Sequence, residues 1–153
     1  MIAAVFLSLG SNVGDRKRLL DEAVARISVL PETTLRIRSA YYRTQPVGPV
    51  KDQGWFLNIA IGVETSLGTA ELAAACHAIE TALGRDRSKE IPSGPRPIDI
   101  DVLSAPLDTR AFVLVPLAEI APDASFGGKK VKEHLAATEI RGVQKLAWPV
   151  PAI

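Results

Sequence analysis

The order of apolar and polar positions along the chain predicts alternating strands and helices. Residues 2–9 form an apolar run typical of a buried first strand, and this run ends at the turn-forming stretch GSNVGDR. Apolar residues then recur about every 3.6 positions as far as Leu30, which predicts a helix that Asp15 caps and Pro31 ends. The chain is therefore expected to begin with a strand followed by a helix.

Two further strands are predicted after this helix. Leu35 and Ile37 alternate with Arg36 and Arg38, as in a strand with one face in water. Residues 55–63 alternate over a longer stretch, with apolar side chains at every odd position. The other face of this strand begins with the aromatic Phe56 and the amide Asn58. A strand that only packs against a core needs neither side chain.

A second helix and an acidic strand complete the predicted core. Thr69 is expected to cap the helix and Gly84 to end it. The predicted buried stripe of this helix is Leu72, Cys76, Ile79 and Leu83. The stretch GPRPIDIDVL, residues 94–103, then predicts a strand that buries its isoleucines and carries two aspartates on its other face.

These elements follow the order βαββαβ, which predicts an α+β fold of the ferredoxin-like type, an antiparallel sheet with helices packed on it. Residues 111–122 are predicted to add one more apolar strand and a turn, and residues 129–138 a short amphipathic segment. The last stretch, residues 143–153, receives no assignment. With 153 residues and no internal linker, one domain over residues 1–153 is expected.

Composition narrows the possible partners. A net charge of +1 gives no electrostatic case for nucleic acid or an anionic membrane. No apolar run reaches the length of a membrane span, and no basic residue precedes the first apolar stretch as in a signal peptide. The single cysteine, Cys76, is expected in the core. We therefore expect a cytoplasmic protein.

The aspartate strand carries the strongest chemical signal. Asp99 and Asp101 project from one face about 6.5 Å apart, where two carboxylates repel unless a cation lies between them. Oxygen ligands of this kind suit Mg²⁺, and the nearby Arg85, Arg87 and Arg96 suit phosphate oxygens. The alternative is a solvated strand face beside a solvated basic loop. The more specific hypothesis is that the aspartates bind a metal ion and the arginines bind phosphate groups.

A second group of residues suits a heterocycle. Phe56 and Asn58 share one strand face, where they offer a stacking surface and an amide, and Thr44 can join them. The alternative is an ordinary strand and loop. His77 has no second histidine or cysteine at zinc spacing, so an ordinary surface position is the alternative to a ligand role.

Six motifs, in order along residues 5–123, resemble the hydroxymethyl-dihydropterin pyrophosphokinase family of the folate pathway. GPRPIDIDVL is the most specific of them. The six motifs are LSLGSNVGDR, YYRTQPVGP, FLNIAIGVET, IETALGRDR, GPRPIDIDVL and FVLVPLAEIAP. The resemblance implies a ferredoxin-like enzyme that moves the β,γ-diphosphate of ATP to the hydroxymethyl group of the pterin and releases AMP.

The resemblance also implies a role for particular residues. Asp99 and Asp101 would hold two Mg²⁺ ions, with Arg85 and Arg96 as further catalytic residues. The implied pterin pocket consists of Thr44, Val47, Phe56, Asn58 and Phe112, and the implied nucleotide contacts are His77, Glu80, Arg87 and Arg110. The implied partners are small molecules only, and the implied state is a monomer.

The chain departs from the family pattern at several places. His77 stands where relatives often have glutamine, and Ser93 where they often have tryptophan. The stretch SAPLDTR replaces a longer segment that carries a PHP-like motif and grips ATP in relatives. A pterin-binding or regulatory paralogue with weak or lost transfer is therefore the alternative function. A ferredoxin-like RNA-binding or protein-interaction module is disfavoured by the near-zero charge.

Overall fold

A computed structural model describes residues 1–46 and 53–153, and it confirms an α+β fold built on an antiparallel sheet. The helices are α1 (Arg16–Ser28), α2 (Thr69–Ala82), α3 (Ala111–Ile120) and α4 (Val131–Ala136), with a 3₁₀ turn at Arg87–Lys89. The strands are β1 (Ala3–Ser11), β2 (Thr33–Arg38), β3 (Tyr42–Thr44), β4 (Phe56–Thr65), β5 (Asp99–Val102), β6 (Ser125–Phe126), β7 (Lys129–Lys130) and β8 (Val143–Lys145).

The main sheet has the order β5-β1-β4-β3-β8, and β2 pairs with β4 beside β3. All of these pairings are antiparallel. Strand β1 lies between β4 and β5, so that Gly10 is opposite Asn58 on one side and opposite Asp99 on the other. Residues that are opposite each other in an antiparallel pair share a face of the sheet. Asn58 of β4 and Asp99 of β5 therefore lie on the same face of the sheet, on either side of Gly10 of β1.

The first face of the sheet forms the larger core beneath α1 and α2. Strand β4 contributes Leu57, Ile59 and Ile61, all fully buried. The helices contribute the predicted stripes, including Leu20, Val24, Ile27, Leu72, Cys76 and Ile79. This confirms the predicted faces of both helices and the core position of Cys76.

The second face of the sheet is covered by α3 and α4, and here one sequence prediction is wrong. Residues 111–120 form a helix and not a strand. Val113, Leu114 and Leu117 are buried at helical spacing, and Leu114 and Leu117 pack with Ala60 of β4. A short run that is apolar at almost every position lacks the periodicity that separates a buried strand from a buried helix.

Glu119 ties α3 to the sheet. Its carboxylate accepts hydrogen bonds from the Ala40 N–H, at 3.0 Å, and from the Tyr42 hydroxyl. Lys145 of β8 lies 3.5 Å from the same carboxylate. The segment left unassigned by its sequence thus returns to the sheet edge, and Trp148 packs edge-on against Tyr41 with ring centroids 5.7 Å apart.

Three smaller predictions need correction. A β-bulge at Arg36 shifts the register between Leu35 and Ile37, so Ile37 is 39% exposed while Arg38 is buried against Asp21. Helix α1 ends at Ser28, two residues before the predicted end at Leu30. The backbone of Gly68, and not Thr69, caps α2, and the Glu71 carboxylate accepts the Gly68 N–H.

The longest helix in the described ranges, α2, has 14 residues. A membrane span needs about 20 apolar residues. None of the helices in residues 1–46 and 53–153 is therefore long and apolar enough to cross a bilayer.

The helical packing of residues 111–120 predicts a large effect of one core truncation. Leu114→Ala should lower the free energy of unfolding by about 2–5 kcal/mol, because Leu114 is fully buried between α3 and the sheet. Ile140→Ala, at a position that is 53% exposed, should change it by less than about 0.5 kcal/mol. Urea unfolding of both variants tests this, and equal effects would contradict the packing of α3.

Candidate active site

An open cleft lies on the second face of the sheet. It begins at the N-terminal end of α3, where this helix no longer covers the sheet. The cleft is open to solvent on one side and has a volume of about 150 Å³. The cleft is lined by Gly10, Thr44, Gln45, Phe56, Asn58, Ser93, Arg96, Asp99, Arg110 and Phe112. The structure therefore brings together predicted residues from both groups, the heterocycle group and the acid and arginine group.

Gly10 forms the centre of the cleft floor. Asn58 and Asp99 flank it on the neighbouring strands, which places their Cα atoms about 10 Å apart across the sheet. A Cβ atom on residue 10 would lie 2.5 Å from the Asn58 Nδ2 atom. Only glycine leaves room here, so the floor between the amide and the carboxylate carries no side chain.

Thr44 fixes the orientation of the Asn58 amide. The Thr44 hydroxyl donates to Asn58 Oδ1 at 2.6 Å, and both side chains are buried. The Asn58 Nδ2 group donates to the Leu9 carbonyl oxygen at 3.4 Å and lies beside Gly10. Phe56, two residues before Asn58, lines the same wall. Thr44, Phe56 and Asn58 thus form the predicted group of an amide, a hydroxyl and an aromatic ring.

Phe112 and Arg110 form the opposite wall of the cleft. The Arg110 guanidinium lies 4.6 Å from the centroid of the Phe112 ring, a cation–π contact. Asp108 holds this guanidinium through a bond of 2.7 Å to Nη2. The two residues reach the cleft because α3 begins at Ala111, directly between them. A strand over residues 111–122 would not have predicted this arrangement.

Asp99 and Asp101 lie on the same face of β5, as predicted, while Ile98 and Ile100 are buried on the other face. Loss of hydration, followed by the charges of Asp99 and Glu80, raises the pKa of Asp101 to about 6. Arg96 is the nearest cation in the cleft, with Nη1 3.9 Å from Asp99 Oδ2. The face therefore holds more negative charge than its surroundings neutralise.

Arg85 lies beneath this acid pair and is almost fully buried. Its Nη1 donates to Asp99 and Glu80, both at 2.9 Å, and to the Ile98 carbonyl oxygen at 3.2 Å. Its Nε and Nη2 donate to Glu90 at 2.8 and 3.1 Å. Burial alone would lower the pKa of Arg85, but the bonds to Glu90 and Asp99 raise it above its usual value. Arg85 therefore stays charged.

Glu80 and His77, both nucleotide contacts implied by the resemblance, differ sharply in exposure. Glu80 is 2% exposed and accepts the Ile100 N–H at 2.7 Å, which holds β5 against α2. His77 is exposed, and its ring nitrogen lies 3.4 Å from Arg87 Nη1. Arg87 also donates to Glu80 at 2.8 Å. His77 and Arg87 line a second, shallow surface site on the far side of Arg85.

Sequence reasoning missed Asn12, which joins three parts of the site. Its Oδ1 accepts the Arg96 N–H at 2.9 Å, and its Nδ2 donates to Gln53 Oε1 at 2.8 Å and to the Gly54 carbonyl oxygen at 3.0 Å. Gln53 in turn donates to the Ser93 carbonyl oxygen at 2.8 Å. The stretch GSNVGDR predicts a turn and belongs to a family motif, but neither feature indicates that the Asn12 amide bonds to distant residues.

The Asp99 and Asp101 carboxylates of β5 can supply part of the ligand set of a divalent cation, whose remaining ligands would be water or substrate oxygens. Within residues 1–46 and 53–153, no three His, Cys, Asp or Glu side chains cluster into a complete metal centre. Asp99 and Asp101 offer two hard oxygen donors on one face, and the raised pKa of Asp101 shows that a positive charge would be favourable there. Val47, the remaining predicted pocket residue, lies outside the described residues.

The pKa of Asp101 predicts a pH-dependent cost to stability. Because folding raises this pKa from its ordinary 3.8 to about 6, the folded chain binds this proton more tightly, and stability falls as the pH rises between these values. Asp101→Asn removes the charge. With chelator present, it should stabilise the chain at pH 8 by about 1 kcal/mol, allowing for solvent screening, or about 2–4 °C in Tm.

Thermal unfolding followed by circular dichroism at pH 4–8 measures this effect. The gain should shrink toward pH 4, where the carboxyl of the folded wild type is protonated and carries no charge. Asp123→Asn is the control, because Lys132 lowers the pKa of Asp123 and its removal should give no gain. Equal melting of wild type and Asp101→Asn at pH 8 would contradict the electrostatic description of the acid pair.

Comparisons with known proteins identify the family of this chain. The family model described as 7,8-dihydro-6-hydroxymethylpterin-pyrophosphokinase (HPPK) matches residues 6–122. Two proteins named 2-amino-4-hydroxy-6-hydroxymethyldihydropteridine pyrophosphokinase are similar over nearly their whole length. The protein from Methylorubrum extorquens is 43% identical, with 92% of this chain and 97% of that protein covered. The protein from Pseudomonas aeruginosa is 35% identical, with 95% and 98% covered.

A solved structure confirms the fold at low sequence identity. The crystal structure of HPPK-DHPS in complex with substrates superposes with a TM-score of 0.67 at 10% identity. The superposition covers 93% of this chain and 46% of that one. The matched family model and the two full-length relatives go beyond the fold: the chain belongs to the HPPK family of diphosphokinases.

Proposed function

We propose that this chain transfers the β,γ-diphosphate of ATP to the hydroxymethyl group of 6-hydroxymethyl-7,8-dihydropterin and releases AMP, in the biosynthesis of folate or a related pterin cofactor. The hydroxyl oxygen bonds to the β-phosphorus, the bond from that phosphorus to the α-phosphate oxygen breaks, and the hydroxyl proton is released. One observation carries the proposal. The floor at Gly10 joins a buried amide on β4 to a carboxylate on β5 within one cleft.

The β4 side of the cleft suits the pterin. The hydrogen bond from Thr44 fixes the Asn58 amide, so the amide can select the donor and acceptor pattern of one heterocycle edge. Phe56 and Phe112 line the cleft and supply aromatic surfaces for the ring. The absence of a side chain at Gly10 lets a flat ring lie against β1. Val47 remains a proposed contact of this pocket.

The β5 side suits the phosphates. We assign Asp99 and Asp101 as ligands of Mg²⁺, with two ions expected, and Arg96 and Arg110 as cations for phosphate oxygens. Bound Mg²⁺ would neutralise the triphosphate and polarise its phosphoryl oxygens. Transfer of this kind depends mainly on positioning and on charge stabilisation. Arg85 supports the reaction from beneath the acid pair, where its bond to Asp99 fixes that carboxylate.

The nucleotide is proposed to extend toward α2. His77 and Arg87 line the shallow site next to Arg85, and Glu80 holds both arginines through its two carboxylate oxygens. The solvent-exposed part of this group is therefore His77 and Arg87, while Glu80 acts as their buried support. Arg87 can turn toward a phosphate because its side chain is 43% exposed.

We propose that residues 1–153 work as one domain and as a monomer on small-molecule substrates. In support, β8 pairs with β3, and α4 packs on α3 beside the shared second core. These contacts join the segment after residue 122 to the part that the family model matches. A cytoplasmic location is consistent with an enzyme of folate biosynthesis.

A specific observation favours a second candidate function. Only residues 103–110 connect β5 to α3. The family resemblance predicts a longer segment at this place, which binds the nucleotide. A short connection leaves fewer groups to hold adenine and to cover the cleft. The second candidate is therefore a pterin-binding or regulatory paralogue with weak or lost transfer.

An assay of AMP release separates the two candidates. The enzyme is incubated with ATP and Mg²⁺, with and without hydroxymethyl-dihydropterin, and the product mass is measured. The kinase should release AMP only with the pterin and form the diphosphate ester. Pterin binding without AMP would favour the paralogue, and failure to bind pterin would contradict both.

Asp101→Ala should reduce transfer by about a hundredfold or more while the pterin affinity is retained, because the acid pair serves the phosphates and not the ring. Steady-state AMP release and pterin titration by fluorescence measure the two properties separately. Asp123→Ala, an exposed carboxylate outside the cleft, is the control and should leave both unchanged. An unchanged rate in Asp101→Ala would show that the metal assignment is wrong.

Phe56→Ala should weaken pterin binding by about 10- to 100-fold, because a lost aromatic stacking contact costs about 1–3 kcal/mol. Phe126→Ala, in the β6–β7 hairpin outside the cleft, provides the matched control. Pterin titration of both variants is the measurement. Equal affinities would remove Phe56 from the pocket wall.

A further inference from the structure

Glu90 binds the outer edge of the buried Arg85 guanidinium. Its Oε2 accepts from Nε at 2.8 Å and its Oε1 accepts from Nη2 at 3.1 Å, so the two planar groups meet in a two-bond fork. Such forks fix orientation as well as distance. The Glu90 side chain is itself 17% exposed, which limits competition from water. No role for Glu90 follows from the cleft or from the family motifs.

The opposite side of the same guanidinium sets the position of the acid strand. Arg85 Nη1 donates to Asp99 Oδ1 at 2.9 Å and to the carbonyl oxygen of Ile98, one residue earlier on the chain, at 3.2 Å. Because a guanidinium is planar and rigid, a partner that fixes its outer edge also fixes the direction of Nη1. The chain of contacts therefore runs from Glu90 through Arg85 to Asp99.

We propose that Glu90 is a positioning residue, which acts through Arg85 to hold the Asp99 carboxylate in the position where Asp99 and Asp101 together bind divalent cations. The inference rests on the metal-binding role of this acid pair in the proposed function. Groups that orient metal ligands without touching the metal typically change metal affinity or activity by about 10- to 100-fold when they are lost. Glu90 meets this description, because Arg85 lies between it and Asp99.

The neighbouring carboxylate Asp86 provides a matched comparison. Asp86 lies on the same basic segment, but its Oδ1 accepts from the Ser88 N–H and hydroxyl, and its other oxygen lies 3.8 Å from Lys89. Its side chain is 51% exposed. Glu90→Gln and Asp86→Asn each remove one negative charge from this segment, but only Glu90→Gln breaks the fork on Arg85.

The direct test measures the affinity of the metal alone. Mn²⁺, which prefers the same oxygen ligands as Mg²⁺, is titrated into the full chain and followed by electron paramagnetic resonance. Glu90→Gln should weaken Mn²⁺ binding by about tenfold, and Asp86→Asn by less than about twofold. Glu90→Asp, which keeps the charge but shortens the reach, should weaken it about as much as Glu90→Gln. Asp101→Ala verifies that the signal comes from the acid pair.

The rate of AMP release gives an independent readout. Glu90→Gln should raise the Mg²⁺ concentration needed for half-maximal rate by about tenfold, and excess Mg²⁺ should restore much of kcat. The KM for the pterin should remain unchanged, because the β4 side of the cleft does not contact Glu90. A residue that only folds the basic segment would lower Tm without this dependence on metal concentration.

Three results would overturn the inference. Unchanged Mn²⁺ affinity in folded Glu90→Gln would mean that Glu90 only anchors its own segment. Full Mn²⁺ affinity in Glu90→Asp would mean that its charge, and not its contact, matters. Tighter ATP binding in Glu90→Gln would mean that Glu90 competes with phosphate for Arg85. Wild-type chain that binds Mn²⁺ but releases no AMP would instead refute the proposed function and leave the metal comparison valid.

Discussion

The antiparallel register of β1 is the constraint on which the rest of the site depends. It places Gly10 opposite Asn58 on β4 and opposite Asp99 on β5, so one row across the sheet holds an amide, a bare backbone and a carboxylate. A shift by one residue would turn each of these groups to the opposite face. The larger core fixes the register, because Leu7 and Leu9 must lie beneath α1 and α2.

Charge beneath the sheet supports this row. The buried Arg85 binds Glu80, Glu90 and Asp99 together, and Glu80 also accepts a backbone hydrogen bond from β5. Buried charges are costly unless each is paired. The arrangement gives Asp99 a close cation, whereas Asp101 keeps a raised pKa of about 6. The ionised Asp101 carboxylate is thus unfavourable by itself, and the acid pair suits a ligand that brings positive charge.

The two faces of the sheet have different roles: one carries the larger core, and the other carries a smaller core and the cleft. The face under α1 and α2 is apolar and continuous, and it provides most of the buried core. The face under α3 and α4 is covered only over part of its area, around Ala60 and Leu117. The uncovered end becomes the cleft, with Phe112 and Arg110 at its wall because α3 starts there. The end of one helix therefore determines the size of the cleft.

Local periodicity shows which side chains share a face of a helix or strand. The sequence was therefore enough to predict the order of the core elements, the buried faces of α1 and α2, and the pairing of Asp99 with Asp101 on one strand face. It also pointed to Thr44, Phe56 and Asn58. Tertiary structure decided the helical state of residues 111–120, whose apolar run suited either element, and the contacts of Asn12 and Glu90, whose partners lie elsewhere in the fold. Burial likewise made Glu80 a support beneath β5, since helical spacing does not show what covers a face.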